Sequence, residues 1–225
     1  MPPSLRLLAV AWLAVALTGC QAGPETAALD GLRQAWLKGR AAEPALNPAF
    51  SYLRVSVQGQ VAYLALGSTD PHPQGLNETW YSATGEVLRL REGRITESLG
   101  TVVEWRDVRF EGWPGWDAAV AAGAAGIDWT RLRDVMPGYR YRVTDRLQLR
   151  PVPPPARSQL QRVAPSSLQW FVETRVGPPP RDGVEALPSA RYAVEAVEGR
   201  VRVVYGEQCL RADFCLSWQR WAEAR

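Results

Sequence analysis

Thr79-Trp80-Tyr81-Ser82-Ala83-Thr84-Gly85-Glu86-Val87-Leu88-Arg89-Leu90-Arg91-Glu92-Gly93-Arg94-Ile95-Thr96-Glu97-Ser98 is the stretch that decides the fold class. Trp80-Tyr81-Ser82 runs into the turn Ala83-Thr84-Gly85. Val87 to Arg91 follows, then the turn Glu92-Gly93, then Arg94 to Ser98. Short segments rich in aromatic and branched residues, cut by glycine turns, predict three antiparallel strands. The device returns at Arg191 to Val197, Glu198-Gly199 and Arg200 to Tyr205. The shared Glu-Gly-Arg reads as two hairpins using glycine for the same positive-φ turn rather than as an internal repeat.

The same reading extends outward. Leu53, Val55 and Val57 alternate with Tyr52, Arg54, Ser56 and Gln58; Gly59 turns the chain and Val61 to Leu66 returns. That is a hairpin signal. Gly67 to Asn77, containing Asp70-Pro71-His72-Pro73, reads as a loop. Tyr139 to Arg150 is the clearest strand: Tyr139, Tyr141, Val143, Leu147 and Leu149 take one face, and Arg140, Arg142, Thr144, Arg146, Gln148 and Arg150 the other. Leu168 to Val176 is another strand, stopped by Gly177 and Pro178 to Pro180. Asp117 to Met136 reads as one or two short helices, with Asp128 capping Trp129 to Val135; Pro24 to Lys38 reads as a further short helix with Leu29, Leu32 and Trp36 on one face. The tail from Leu216 is open between a strand and a helix. The sum predicts a mainly β fold, an antiparallel sheet curled into a half-barrel or a sandwich, with a few short helices.

The N-terminus gives an address. Arg6 precedes an apolar run from Leu7 to Leu17, and Leu17-Thr18-Gly19-Cys20 follows. A charged start, a short apolar centre and small residues at the cut make a secretory signal. Leu, a small residue, Gly and Cys form the lipobox of bacterial lipoproteins. The expected organisation is a signal peptide over 1–19 and one β-rich, periplasm-facing domain over 20–225, in which 20–50 are tether and short helix. Cys20 is the expected lipidation site, and several acyl chains on one residue anchor firmly. Gln21, where an Asp would favour inner-membrane retention, points to the outer membrane. The remaining cysteines, Cys209 and Cys215, are an even pair in an oxidising compartment and are expected to form a disulfide.

Composition excludes several classes. Formal net charge is +3, and Arg6 leaves with the signal, which is too little for a nucleic-acid binder. The single histidine, His72, sits between Pro71 and Pro73, so neither a nucleophilic triad nor a metal site is expected, and no cofactor motif is present. A glycosidase needs two facing carboxylates. Glu78, Glu86, Glu97, Glu104, Asp107 and Glu173 are the candidates, without a sequence signal pairing any two.

Two features suit a glycan. Of ten tryptophans, Trp12 lies in the signal; the others are either core filler or sugar-stacking surfaces, with Trp113 and Trp116, beside Pro114 and Gly115, expected to be exposed. Trp218 and Trp221, three apart, suit a helical face. The second feature is the row Arg140, Arg142, Arg146 and Arg150. Four guanidinium groups on one face want anions, supplied either by an acidic polysaccharide or by glutamates such as Glu173 or Glu195 on a neighbouring strand.

Glu78-Thr79-Trp80-Tyr81-Ser82, Gly85-Glu86-Val87-Leu88-Arg89-Leu90, Gly93-Arg94-Ile95-Thr96 and Gly100 together resemble the core signature of the YjbF/GfcB lipoproteins. Here Glu92 stands before Gly93 where Asn is more usual, which touches only the turn. The resemblance implies an outer-membrane lipoprotein encoded with exopolysaccharide or capsule genes, assisting secretion or assembly of the polymer without a catalytic centre. It supplies no binding residues. The expected partners are the membrane, through the anchor, and polysaccharide or its export proteins. A lipid- or lipoprotein-binding half-barrel carrier is the alternative, and a polysaccharide-modifying enzyme the third reading. Metabolic labelling with palmitate is expected to mark the wild-type chain and leave Cys20→Ser unlabelled, its signal uncut.

Overall fold

A computed structural model describes residues 45–178 and 184–221. Cys20, the lipobox and the expected helix over Pro24 to Lys38 lie outside the described residues. Twelve strands follow one another: β1 (Tyr52–Val57), β2 (Gln60–His72), β3 (Gly75–Tyr81), β4 (Val87–Arg91), β5 (Arg94–Leu99), β6 (Glu104–Glu111), β7 (Ile127–Met136), β8 (Arg140–Val152), β9 (Gln169–Arg175), β10 (Ala190–Val197), β11 (Arg200–Arg211) and β12 (Phe214–Trp221). Each pairs antiparallel with its neighbours in sequence. β1 also pairs with β12, from Tyr52 opposite Trp221 to Val57 opposite Leu216. The curl therefore runs to a closed up-and-down barrel, which removes both sheet edges. The thinnest seam is β5–β6, where Ser98 opposite Trp105 is the one paired position.

The predicted meander is β3–β4–β5, and the last segment is a strand. Two segments differ from expectation. Residues 127–136 form β7 rather than a helix. Their alternation is real, but its inward members are Trp129, Arg131 and Arg133, so no apolar period two showed. The Gly67 to Asn77 loop is instead the end of β2 and the start of β3, with Pro71 opposite Leu76 and His72 opposite Gly75. Proline is tolerated there because the ladder is about to end.

One short helix, α1 (Trp116–Ala122), lies between β6 and β7. It covers one end of the barrel. Trp116 Nε1 donates to the Glu92 carbonyl at 2.6 Å in the β4–β5 turn, and Asp117 Oδ1 accepts from the Val201 N–H at 3.0 Å near the β10–β11 turn. A second, smaller cluster lies outside the barrel wall. Leu160, Leu168, Trp170, Ala193 and Tyr205 pack together beneath the segment joining β8 to β9. That strap is held by Gln161, whose N–H donates to Gln219 Oε1 (2.9 Å) and whose carbonyl accepts from Gln219 Nε2 (2.7 Å).

Cys209 and Cys215 are bonded across the β11–β12 hairpin, as expected. Trp218 and Trp221 lie on a strand, which settles the open alternative: Trp218 is a core residue pointing inward, and Trp221, an odd number of positions away, falls on the outer side against Tyr63. Gly206 sits opposite Trp218, and a Cβ there would come within 2.3 Å of the Trp218 ring. Gly206→Ala is expected to destabilise the fold by about 1–3 kcal/mol, the usual cost of overpacking, read as a lower urea midpoint at unchanged m-value.

Candidate functional site

The inner face of β5 to β10 carries charge. Arg94 contacts Glu173 in an ion pair; both side chains are at most 2% exposed. Arg131 reaches Asp145 Oδ2 at 3.0 Å and Glu173 Oε1 at 3.6 Å. Arg133 Nε donates to Asp145 Oδ2 at 2.7 Å. Three guanidinium groups thus face two carboxylates, and the aromatic lining takes up the imbalance. Arg94 lies 4.1 Å from the ring centre of Trp113, 4.5 Å from Trp129, and 4.7 Å from both Trp116 and Tyr192. Arg131 and Arg133 lie 4.6 and 4.8 Å from the ring of Trp105. Ring faces carry partial negative charge, and desolvated contacts of this kind are worth up to about 2 kcal/mol each.

Burial pushes the Asp145 carboxyl up, but the Arg131 charge and the Arg133 hydrogen bond outweigh it and hold the group below its ordinary value. Burial, reinforced by the Glu173 charge, raises the Tyr192 phenol well above its ordinary value, so it stays a neutral donor to Gln208 Oε1 at 3.1 Å. Beside this network, at the end away from α1, is a recess of about 10 Å³ bordered by Arg131, Asp145, Glu173 and Gln208. It has room for about one water molecule. Gln208 Nε2, buried and without a protein partner, is the donor such a water would satisfy.

Trp113 and Trp116 belong to this interior. They are 8% and 3% exposed, which corrects the expected exposed pair. Proline and glycine beside them mark a loop, but the loop turns inward, where the two rings meet each other at 5.2 Å and close over Arg94. As sugar-stacking candidates they are withdrawn. Glu173 is likewise inside, and Glu195 pairs with Arg202 at 2.6 Å, so neither neutralises the arginine row.

That row is on the outer wall. β8 holds Val143, Asp145, Leu147 and Leu149 inward and Arg142, Thr144, Arg146 and Arg150 outward. Among the described residues Arg142, Arg146 and Arg150 make no ion pair; Arg140, at the hairpin end, is engaged by a neighbour. Thr130 stands opposite Arg146 on one side, and Val172 opposite Arg150 on the other. The nearby Asp128 is held by Gln148 Nε2 at 2.8 Å. The structure thus brings the arginines into one line and separates them from the two tryptophans.

The six carboxylates considered for hydrolysis are dispersed. Glu78 is clamped by Arg220, Glu97 by Arg89, Glu104 by Arg106 and Asp107 by Arg109, each at 2.6 Å. Glu86 is bound by Ser82 and Thr84. His72 Nδ1 accepts from the Gln74 N–H at 3.0 Å in the β2–β3 turn. Sequence reasoning missed the buried network, because inward Arg131, Arg133 and Asp145 look in sequence like any solvated charges.

Comparison with known proteins finds a fold relative. The crystal structure of the hypothetical lipoprotein YmcC from Escherichia coli K12 is similar at a TM-score of 0.53 and 16% identity, covering 92% of this chain and all of that one. That likeness concerns the fold. No family model and no curated protein matches the chain. Among the described residues no helix is long and apolar enough to cross a membrane.

Asp145→Asn is expected to destabilise the barrel by about 3–5 kcal/mol at neutral pH, since it leaves the buried Arg133 without its counter-charge and Arg131 with Glu173 alone. The sign with pH follows. A carboxyl whose folded pKa is depressed stabilises above its unfolded value of about 3.9 and loses that contribution as pH falls through the folded value. The gap between variant and wild type should therefore shrink below pH 4 in denaturant melts.

Proposed function

We propose that this protein is a lipid-anchored accessory of exopolysaccharide or capsule export in the YjbF/GfcB manner, held at the periplasmic face of the outer membrane and acting by binding rather than by chemistry. The observation that carries the reading is the line Arg142–Arg146–Arg150. Guanidinium groups that make no ion pair among the described residues, exposed and recurring along one strand, suit a linear polymer with repeated carboxylates. The lipobox supplies the address and the resemblance over residues 78–100 the context.

The barrel interior favours this over the alternatives. Trp80, Trp105, Trp116, Trp129, Tyr192 and Trp218 fill it together with the arginine network. The recess beside that network is water-sized and lined by charged as well as apolar side chains, where an acyl chain needs an apolar cavity of hundreds of Å³. The carboxylates weighed for glycoside hydrolysis are each committed to an arginine, or in Glu86 to hydroxyls.

The experiment is retention of the mature chain on a column carrying the acidic polymer of its own operon. Arg142→Glu with Arg146→Glu is expected to lose most retention while melting at the wild-type temperature. Unchanged retention would remove the arginine line from the reading, and no retention of the wild type would remove polymer binding.

A further inference from the structure

The barrel has two unlike ends. β1 begins at the end that α1 covers, so the described chain enters the barrel there. β7 leaves that end and turns into β8 at the opposite one. The β7–β8 turn therefore stands at the rim opposite the start of β1, and it displays the two most exposed large apolar side chains among the described residues. Tyr139 is 73% and Tyr141 64% exposed.

The turn is built rather than slack. Tyr139 and Arg142 hold φ of 51° and 52°, a region non-glycine residues rarely occupy. The register shifts between Arg133 and Val135, and in that bulge Asp134 Oδ1 accepts the Arg142 N–H at 2.7 Å. A carboxylate thus spends itself on the backbone of Arg142 and fixes the turn, while the Arg142 side chain keeps no ion pair among the described residues. Backbone held in such conformations by its surroundings is concentrated at binding sites. Burial cannot be the reason the two rings are held here. The alternation of β8 would point Tyr139 and Tyr141 with Val143, and it is the bulge and the rim position that leave them outside.

We infer that Tyr139 and Tyr141 form a sugar-ring platform at the head of the arginine line, so that one extended acidic glycan lies from the hairpin tip down the outer wall to Arg150. This rests on the polymer-binding reading above and deepens it by assigning the ligand class and the second set of contacts. Aromatic faces stack on the C–H faces of pyranose rings, which carry no charge, while carboxylates on the same chain reach guanidinium groups. Arg142, Arg146 and Arg150 recur every four residues, roughly 13 Å at strand rise, a line of roughly 26 Å in all. A straight, repeating array of one sign fits a linear repeating polyanion better than the mixed rim of a folded protein partner.

Two variants separate the contributions. Tyr139→Asn with Tyr141→Ser removes both rings, and Asn tolerates the positive φ at 139. Arg142→Gln, Arg146→Gln and Arg150→Gln removes the charges. The mature chain and both variants are titrated with sodium polygalacturonate and with neutral dextran, at low and high salt, after thermal melts confirm that each is folded. The tyrosine variant is expected to bind polygalacturonate about tenfold more weakly with an unchanged salt dependence, and the arginine variant to lose that dependence. Wild-type affinity in the tyrosine variant, with the arginine variant impaired, would overturn the platform and leave the polymer reading standing. Failure of the wild type to bind polygalacturonate or its own operon's polymer would overturn both. Tyrosine-dependent capture of an envelope protein with no polyuronate binding would also overturn the platform, making the tip a protein contact.

Discussion

The buried pairing of Arg94 and Arg131 with Glu173, and of Arg131 and Arg133 with Asp145, is the constraint on which the rest of the barrel depends. Closing twelve strands encloses a volume that must be filled, and here part of the filling is ionic. Such charges do not come free: each loses its water, and pairing only returns the loss when the geometry is good. Their value lies in register. A one-residue slip of β7 against β8 would carry Arg131 and Arg133 to the outer wall and leave Asp145 inside without a cation. A two-residue slip keeps the faces, and there the ionic pairs discriminate where apolar residues would not, since one apolar side chain can replace another at modest cost.

The same network explains α1. Arg94 keeps Nε and Nη2 without hydrogen-bond partners among the described residues, a costly state unless something electronegative faces them. Trp113 and Trp116 supply that face, and they can reach it only because the β6–β7 connection folds back over the barrel end. The short helix is thus a consequence of the interior cation. The Ala-rich stretch with Gly115 and Gly123 at its ends makes the helix possible, and the rings give it a place to dock.

Which parts were readable in the sequence follows from what faced inward. β3, β4 and β5 could be read because glycine turns separated them and Trp80, Leu88, Leu90 and Ile95 face the core. The Arg142–Arg150 face was readable for the same reason, its opposite face being Val143, Leu147 and Leu149. β7 was not, because two of its inward residues are arginines, and periodicity arguments assume that inward means apolar. Trp113 and Trp116 were misplaced because loop composition says where the chain leaves a regular element and not which way it then points. The tyrosines of the β7–β8 turn were misplaced by a bulge, which shifts alternation by one and has no signature in Tyr139-Arg140-Tyr141-Arg142.

Polarity of the two barrel faces decides how the molecule can meet a membrane. A strand barrel that spans a bilayer turns an apolar band about 25 Å tall outward and keeps polar residues within. Here the arrangement is reversed: tryptophan, leucine and the paired arginines are inside, while Arg142, Thr144, Arg146 and Arg150 mark the outer side of β8 along its whole length. An outward arginine at bilayer depth costs about 2–4 kcal/mol, and one strand alone would contribute three. The outer side of β8 is therefore suited to water rather than to acyl chains. β1 begins at the end that α1 covers and the β7–β8 turn lies at the other, so the tyrosine tip of the arginine line stands at the rim opposite the chain's entry into the barrel.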